Sequence, residues 1–169
     1  MMGMMMRMKS VLRTILTVAG VSVLGLIGAR GVQAQALFGA EILFGTETDV
    51  GIGGRVHLNL GSSVPNLEFQ GGFDLFFPDG PADYWEINGN VWYRIETSGA
   101  SNVLPYVGGG LNIGHHDRAD FEGDTDLGLN LGGGVRFPFQ NTTPFLEARF
   151  TVGGKEQFII GGGVLFGGF

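Results

Sequence analysis

The sequence predicts an all-β fold: an eight-stranded antiparallel up-and-down transmembrane β-barrel, preceded by a cleavable N-terminal signal peptide. Three observations carry that prediction. Apolar and polar residues alternate with period two over long runs. Turn chemistry separates eight such runs. The apolar face is aromatic and β-branched while the other is charged, so neither arrangement fits an ordinary soluble core.

The N-terminal segment is distinct in composition. The chain has 169 residues, with 32 glycines, no cysteine and six methionines, all within Met1–Met8. Arg7, Lys9, Arg13 and Arg30 stand in a stretch that holds no acid. Ile15 to Ile27 supplies an apolar segment, and Ala34-Gln35-Ala36 is an A-x-A cleavage signal. Residues 1–36 therefore read as a signal peptide and 37–169 as the barrel domain. Cleavage after Ala34 is the competing site. The apolar segment is short for a spanning helix and contains Arg13. Past Arg30, six basic residues face sixteen acids, a balance that excludes a nucleic-acid partner. The missing cysteines exclude a disulfide framework and a thiolate zinc site.

The first run, 37–46, carries Glu41 and stops at Glu47-Thr48. The second, 49–60, carries Arg55 and His57 and stops at Gly61-Ser62-Ser63-Val64-Pro65. The third, 66–77, sets Leu67, Phe69, Phe73 and Leu75 opposite Glu68, Gln70, Gly72 and Asp74, and ends at Pro78-Asp79-Gly80-Pro81-Ala82. The fourth, 83–96, sets Trp85, Ile87, Val91, Tyr93 and Ile95 opposite Glu86, Asn88, Asn90, Arg94 and Glu96. After Thr97 to Asn102 comes the fifth, 103–115, then a longer connector from His116 to Gly123. The sixth, 124–137, sets Leu127, Leu129, Leu131, Val135 and Phe137 opposite Asp126, Asn130 and Arg136. Pro138 to Thr142 leads to the seventh, 143–152, with Glu147 and Arg149. Gly153-Gly154-Lys155 leads to the eighth, 156–169. There Phe158, Ile160, Val164 and Phe166 oppose the parity of Phe169, so either the interior is apolar or a glycine bulge shifts the phase.

The lengths suit a membrane strand, which needs about nine to eleven residues. Lipid then takes the apolar face and the lumen takes the charges, while closure leaves no unpaired edge in hydrocarbon. An even strand count puts both termini on the periplasmic side. Phe44, Phe77, Tyr84 and Trp85 are expected at an outer aromatic girdle, and Phe38, Tyr93, Tyr106, Phe137, Phe145 and Phe169 at an inner one. Three in-strand glycine triplets, at 108–110, 132–134 and 161–163, are expected to permit sharp curvature and leave room for bulky lumen neighbours.

The candidate site is the set of lumen charges: Glu41, Arg55, Glu68, Asp74, Glu86, Arg94, Arg136, Glu147 and Arg149. Eight strands leave room only for side chains, so a salt-bridged core is favoured over an ion or proton path, with the arginines as bridging cations. His115, His116, Asp117, Asp120, Glu122, Asp124 and Asp126 form an acidic patch whose spacing matches no EF-hand or strong zinc pattern. It reads as a solvated loop; its functional version would bridge divalent cations to lipopolysaccharide phosphates. No serine converges on a histidine, and the glycine triplets lack the lysine and helix of a phosphate loop, so neither catalytic residues nor cofactors nor metal ligands are expected.

Pro105-Tyr106-Val107-Gly108-Gly109-Gly110, Asn130-Leu131-Gly132-Gly133-Gly134-Val135-Arg136-Phe137 and the terminal Phe169 complete a pattern with the signal peptide and eight strands. The chain resembles the small outer-membrane barrels related to the transmembrane domain of outer-membrane protein A and the OmpX-like proteins. The resemblance spans about residues 37–169 and is specific for architecture rather than activity, since the family's members differ widely in role; a structural or surface-interaction role is the expectation. It implies partners too: outer-membrane lipid, lipopolysaccharide, and the barrel-assembly machinery, which would read Phe169. A monomer is expected. A lipid-modifying barrel enzyme and a soluble periplasmic ligand-binding barrel are the alternatives.

Overall fold

The computed structural model describes residues 36–59, 64–79, 82–97, 102–118 and 121–167. The expected signal peptide through Gln35, and Phe169, lie outside them. Eight strands follow one another: β1 (Ala36–Gly45), β2 (Asp49–Asn59), β3 (Leu67–Phe76), β4 (Ala82–Arg94), β5 (Leu104–Arg118), β6 (Phe121–Arg136), β7 (Thr142–Val152) and β8 (Gln157–Phe166). Each pairs antiparallel with the next, and β8 pairs with β1 to close the barrel. We call the end holding Ala36 and Phe166 the terminal end and the opposite end the far end.

One boundary differs from expectation. Sequence patterning makes His116–Gly123 a loop, yet β5 runs to Arg118 and β6 starts at Phe121, with a register slip between His116 and Arg118. Apolar alternation stops there, but ladder hydrogen bonds need only backbone groups, so the hairpin continues through polar sequence. At the β7–β8 turn, Gly153 and Gly154 take φ values of 81° and 62°, which cost little only without a Cβ.

The strands are staggered. Followed from Gly45 through Ile159, Arg149, Gly132, Gly108, Trp92 and Glu68, the pairing reaches β2 at Asn59. The direct partner of Gly45 is Asp49, ten residues away, so the shear of the barrel is ten. Strand tilt follows from that stagger.

The outward face is regular. Every strand places one small residue at its centre: Ala40, Gly54, Gly71, Gly89, Gly109, Gly133, Ala148 and Gly162. Two outward positions flank it on each side, filled by apolar residues such as Ile52 and Val56 or Leu131 and Val135. At three strand boundaries the small residues pair directly (Ala40 with Gly54, Gly71 with Gly89, Gly133 with Ala148). At the other five the belt shifts two residues toward the terminal end, for example where Gly54 faces Phe73 while Gly71 faces Val56. Five two-residue steps equal the ten-residue shear, so the belt closes as a level ring. At ~3.3 Å per residue and ~40° of tilt, the outward positions cover about 20 Å along the axis, near the ~25 Å apolar band of outer-membrane barrels.

Inward glycines permit close approach. A Cβ on Gly108 would strike the Val91 carbonyl and come within 3.0 Å of Trp92. One on Gly134 would lie 2.6 Å from the Tyr106 hydroxyl. These positions let large lumen side chains lie against a tightly curved wall.

Each end of the interior holds an apolar cluster beside polar groups. Leu43, Phe76, Tyr84 and Ile159 cluster at the far end; Leu37, Phe145 and Leu165 cluster at the terminal end. The register of β8 runs unbroken through its glycine triplet on both sides. Ile159 and Leu165 therefore face the lumen, while Phe158, Ile160 and Phe166 face out. Neither alternative holds among the described residues: no bulge interrupts the strand, and the Phe158 face points outward while Gln157 joins Ile159 and Leu165 inside.

Three aromatics assigned to the girdles turn inward instead. Tyr84, Tyr106 and Phe145 are each at most 3% exposed. Tyr84 shares parity with Glu86, and Phe145 with Glu147, so alternation points them at the axis. Phe44, Phe77, Phe38, Tyr93 and Phe137 remain outward. Glu96, expected on the lumen face, lies beyond the end of β4; it is exposed and accepts a hydrogen bond from Asn66 Nδ2 at 2.7 Å.

Candidate functional site

Alternation sends the charged residues of several strands to one interior, where they group around arginines. Arg55 on β2 bridges β1 and β7. Its Nε donates to Glu41 Oε1 at 2.8 Å and its Nη1 to Glu147 Oε2 at 2.9 Å. Its Nη2 also donates to Glu41 Oε2 and Glu147 Oε1. The Tyr106 hydroxyl donates to Glu147 Oε2 at 2.8 Å, and the guanidinium rests 4.4 Å from the Phe145 ring centre.

Arg149 on β7 crosses the lumen to β3 and β4. Its Nη2 donates to Asp74 Oδ2 at 3.0 Å and Glu86 Oε2 at 2.9 Å. Glu86 Oε1 accepts from the Tyr84 hydroxyl at 2.7 Å and from Gln157 Nε2 at 2.8 Å. Arg136 on β6 also crosses to β3, donating through Nη1 to Glu68 Oε2 at 2.6 Å. His57 Nδ1 lies 3.2 Å from Arg136 Nη2. Arg94 Nε stands 3.1 Å from Glu68 Oε1 with its side chain 22% exposed, at the terminal rim.

Neutral side chains join these clusters. Asn88 Nδ2 donates to Asp74 Oδ2 at 2.8 Å, and Asn88 Oδ1 accepts from Asn112 and Asn130 at 2.9 and 2.8 Å. Asn90 Nδ2 and Trp92 Nε1 both donate to Gln70 Oε1. Thr48, fully buried in the β1–β2 turn, donates to Gln157 Oε1 at 2.8 Å over the far end. The predicted site residues thus meet in separate groups around Arg55, Arg149 and Arg136, with Arg94 joining the Arg136 group through Glu68 at the rim. Sequence reasoning missed Asn112, Thr151, Gln157 and the two tyrosines as members. Their strand parity was the available signal.

The acidic patch divides. His115 Nδ1 lies 2.8 Å from Thr125 Oγ1 and its ring packs 5.0 Å from Trp85. The His116 ring packs 4.4 Å from Tyr84, on the lumen side. Consecutive strand residues face opposite ways, so the two imidazoles do not share a ligand. The side chains of residues 117–123 lie outside the described residues, as do Ser62, Ser63, Ser98 and Ser101.

No protein-family model matches the chain, and no curated protein matches it in sequence. Solved structures do match. The N-terminal β-barrel domain of Pseudomonas aeruginosa OprF aligns over 79% of this chain and 98% of its own, with a TM-score of 0.62 and 19% identity. Neisserial surface protein A aligns over 80% and 97%, with a TM-score of 0.60 and 17% identity. The chain has the fold of the small eight-stranded outer-membrane β-barrels. A major outer membrane protein from Thermus thermophilus matches that barrel over 80% of this chain and 99% of its own, with a TM-score of 0.58 and 12% identity.

In a barrel of this size the interior is about as wide as the side chains that fill it. Arg136 and Arg149 each join strands far apart in sequence, while Arg55 links β2, through β1, to β7. Removing one partner of such a buried pair leaves an uncompensated charge, which is the costly outcome. Held together, the clusters tie β1 to β4 against β6 and β7 across the axis.

Proposed function

We propose that this protein spans a bacterial outer membrane as a closed-lumen barrel with a structural or surface-interaction role. The observation that carries the reading is the division of its two faces. A level apolar band surrounds the barrel, and cross-lumen arginine clusters occupy its axis together with an apolar cluster near each end. Hydrocarbon accepts the band, and the clusters leave the axis without a wide aqueous path. Residues 1–36 would direct export and be cleaved. The barrel-assembly machinery would fold the chain, with Phe169 as its recognition residue, and the folded monomer would contact lipid and lipopolysaccharide. The reading assigns no enzymatic step, cofactor or metal, since His57 is engaged by Arg136 and Glu68 and the other histidines pack on aromatic rings.

Cell fractionation with gel mobility tests this. Extraction should require detergent, and the unheated protein should migrate differently from the boiled one. Release by osmotic shock would overturn the membrane assignment in favour of a soluble periplasmic barrel. In planar bilayers the purified protein should pass no sustained current, and a steady large conductance would overturn the closed lumen. Incubation with lipid A should leave the lipid unmodified; turnover lost on replacing His57, His115 or His116 by alanine would establish the lipid-modifying reading instead.

A further inference from the structure

The pairing places three carboxylates in one lateral row of the lumen. Glu41 pairs with Gly53, Gly53 with Asp74, and Asp74 with Glu86. Glu147 approaches the same row from β7 through Arg55. Among the described residues, two guanidiniums serve these four acids: Arg55 is shared by Glu41 and Glu147, and Arg149 by Asp74 and Glu86. All six side chains are at most 5% exposed. The other hydrogen-bond donors to the row are neutral, Tyr84 and Asn88 on β4, Tyr106 on β5 and Gln157 on β8, while beyond Tyr84 at the far end stand Lys155, its Nζ 5.3 Å from that ring's centre, and Asp126. His57, Glu68 and Arg136 form their own cluster toward the terminal end. Full ionisation would set four carboxylates against two guanidiniums where water is excluded, a surplus of negative charge that proteins avoid.

The hydrogen bonds identify where the imbalance rests. Both oxygens of Glu41, Glu86 and Glu147 accept at least one hydrogen bond, as does Asp74 Oδ2. Asp74 Oδ1 is buried and has no partner among the described residues. It opens onto the space above Gly53. A Cβ there would collide with Asp74 Oδ1 and lie 3.0 Å from Glu41 Oε1. Any side chain at position 53 would separate the two acids, and glycine leaves them facing.

We infer that Asp74 and Glu41 form a proton-binding site in the lumen, with Asp74 held as the carboxylic acid and its Oδ1–H donating to Glu41 Oε1 across Gly53. A hard metal cation fits less well. It takes about six or more oxygen ligands, whereas this space offers one free oxygen, and both Glu41 oxygens already accept from Arg55. One bound proton reduces the uncompensated charge and satisfies the orphaned oxygen together.

Infrared spectroscopy of the folded protein in detergent at neutral pH tests the site. The expected result is a protonated-carboxyl C=O band that shifts in D₂O, disappears in Asp74→Asn and persists in Glu86→Gln. Absence of that band in the unmodified protein overturns the proposal. Denaturant midpoints give an independent readout. Asp74→Asn, which mimics the neutral acid and can donate its amide to Glu41, should keep the midpoint. Glu86→Gln, which removes a charged partner of Arg149, should lower it. Equal losses in both variants would show that Asp74 works as an ionised partner and overturn the assignment. A midpoint that falls when sodium is replaced by choline, with no acid band, would likewise overturn it and assign the site to a small cation.

Discussion

The outward and inward faces of the same eight strands follow different rules. Outside, each strand repeats one design: two apolar residues, a small one, two apolar residues, level around the ring. Inside, no two strands repeat. β8 supplies Ile159, Gln157 and Leu165, β3 supplies Glu68, Gln70 and Asp74, and β7 supplies Phe145, Glu147 and Arg149. Lipid is laterally uniform, so an outward residue is judged by depth alone. A lumen residue is judged by the one or two side chains it meets. The outer face therefore tolerates exchange among apolar residues, whereas the inner face is specified group by group.

Substitutions can break or sharpen that contrast. The largest loss is expected from Arg149→Ala, which strands the buried Asp74 and Glu86: about 3–5 kcal/mol of stability, measured by urea unfolding in detergent or liposomes. Leu131→Arg, one outward step from the belt, should cost about 2–4 kcal/mol. Leu127→Arg, four residues nearer the far end of the same strand, should cost about 0–1 kcal/mol. Equal costs at the two positions would remove the belt from the middle of the hydrophobic band. Asn130→Leu, between two lipid-facing leucines, breaks hydrogen bonds to Asn88, Asn90 and Thr151 and should cost about 1–3 kcal/mol. Gly108→Ala pushes a methyl into the Val91 carbonyl and Trp92; about 1–3 kcal/mol is expected. A neutral Gly108→Ala would show that the wall relaxes and that close packing there is not specified.

Much of this architecture is legible in the residues alone. Strand positions agree within a few residues, and Glu41, Arg55, Glu68, Asp74, Glu86, Arg136, Glu147 and Arg149 all face the interior. The misplaced aromatics share one cause. Tyr84, Tyr106 and Phe145 invite placement at the lipid interface because aromatic residues favour it, although their parity points inward. Hydrophobicity alone cannot separate a residue facing lipid from one capping a lumen, since both environments exclude water. Ile159 and Leu165 pose the same ambiguity.

Alternation of side chains, with its strict period of two, decided in the sequence itself which residues share a face. Long strands bounded by turns decided that the faces belong to eight antiparallel elements. Partner choice came only with closure. Arg136 meets Glu68, and Arg149 meets Asp74, because a ten-residue stagger brings β6 and β7 to particular heights opposite β3. That stagger is a property of the whole circuit of strands, so no single segment encodes it locally.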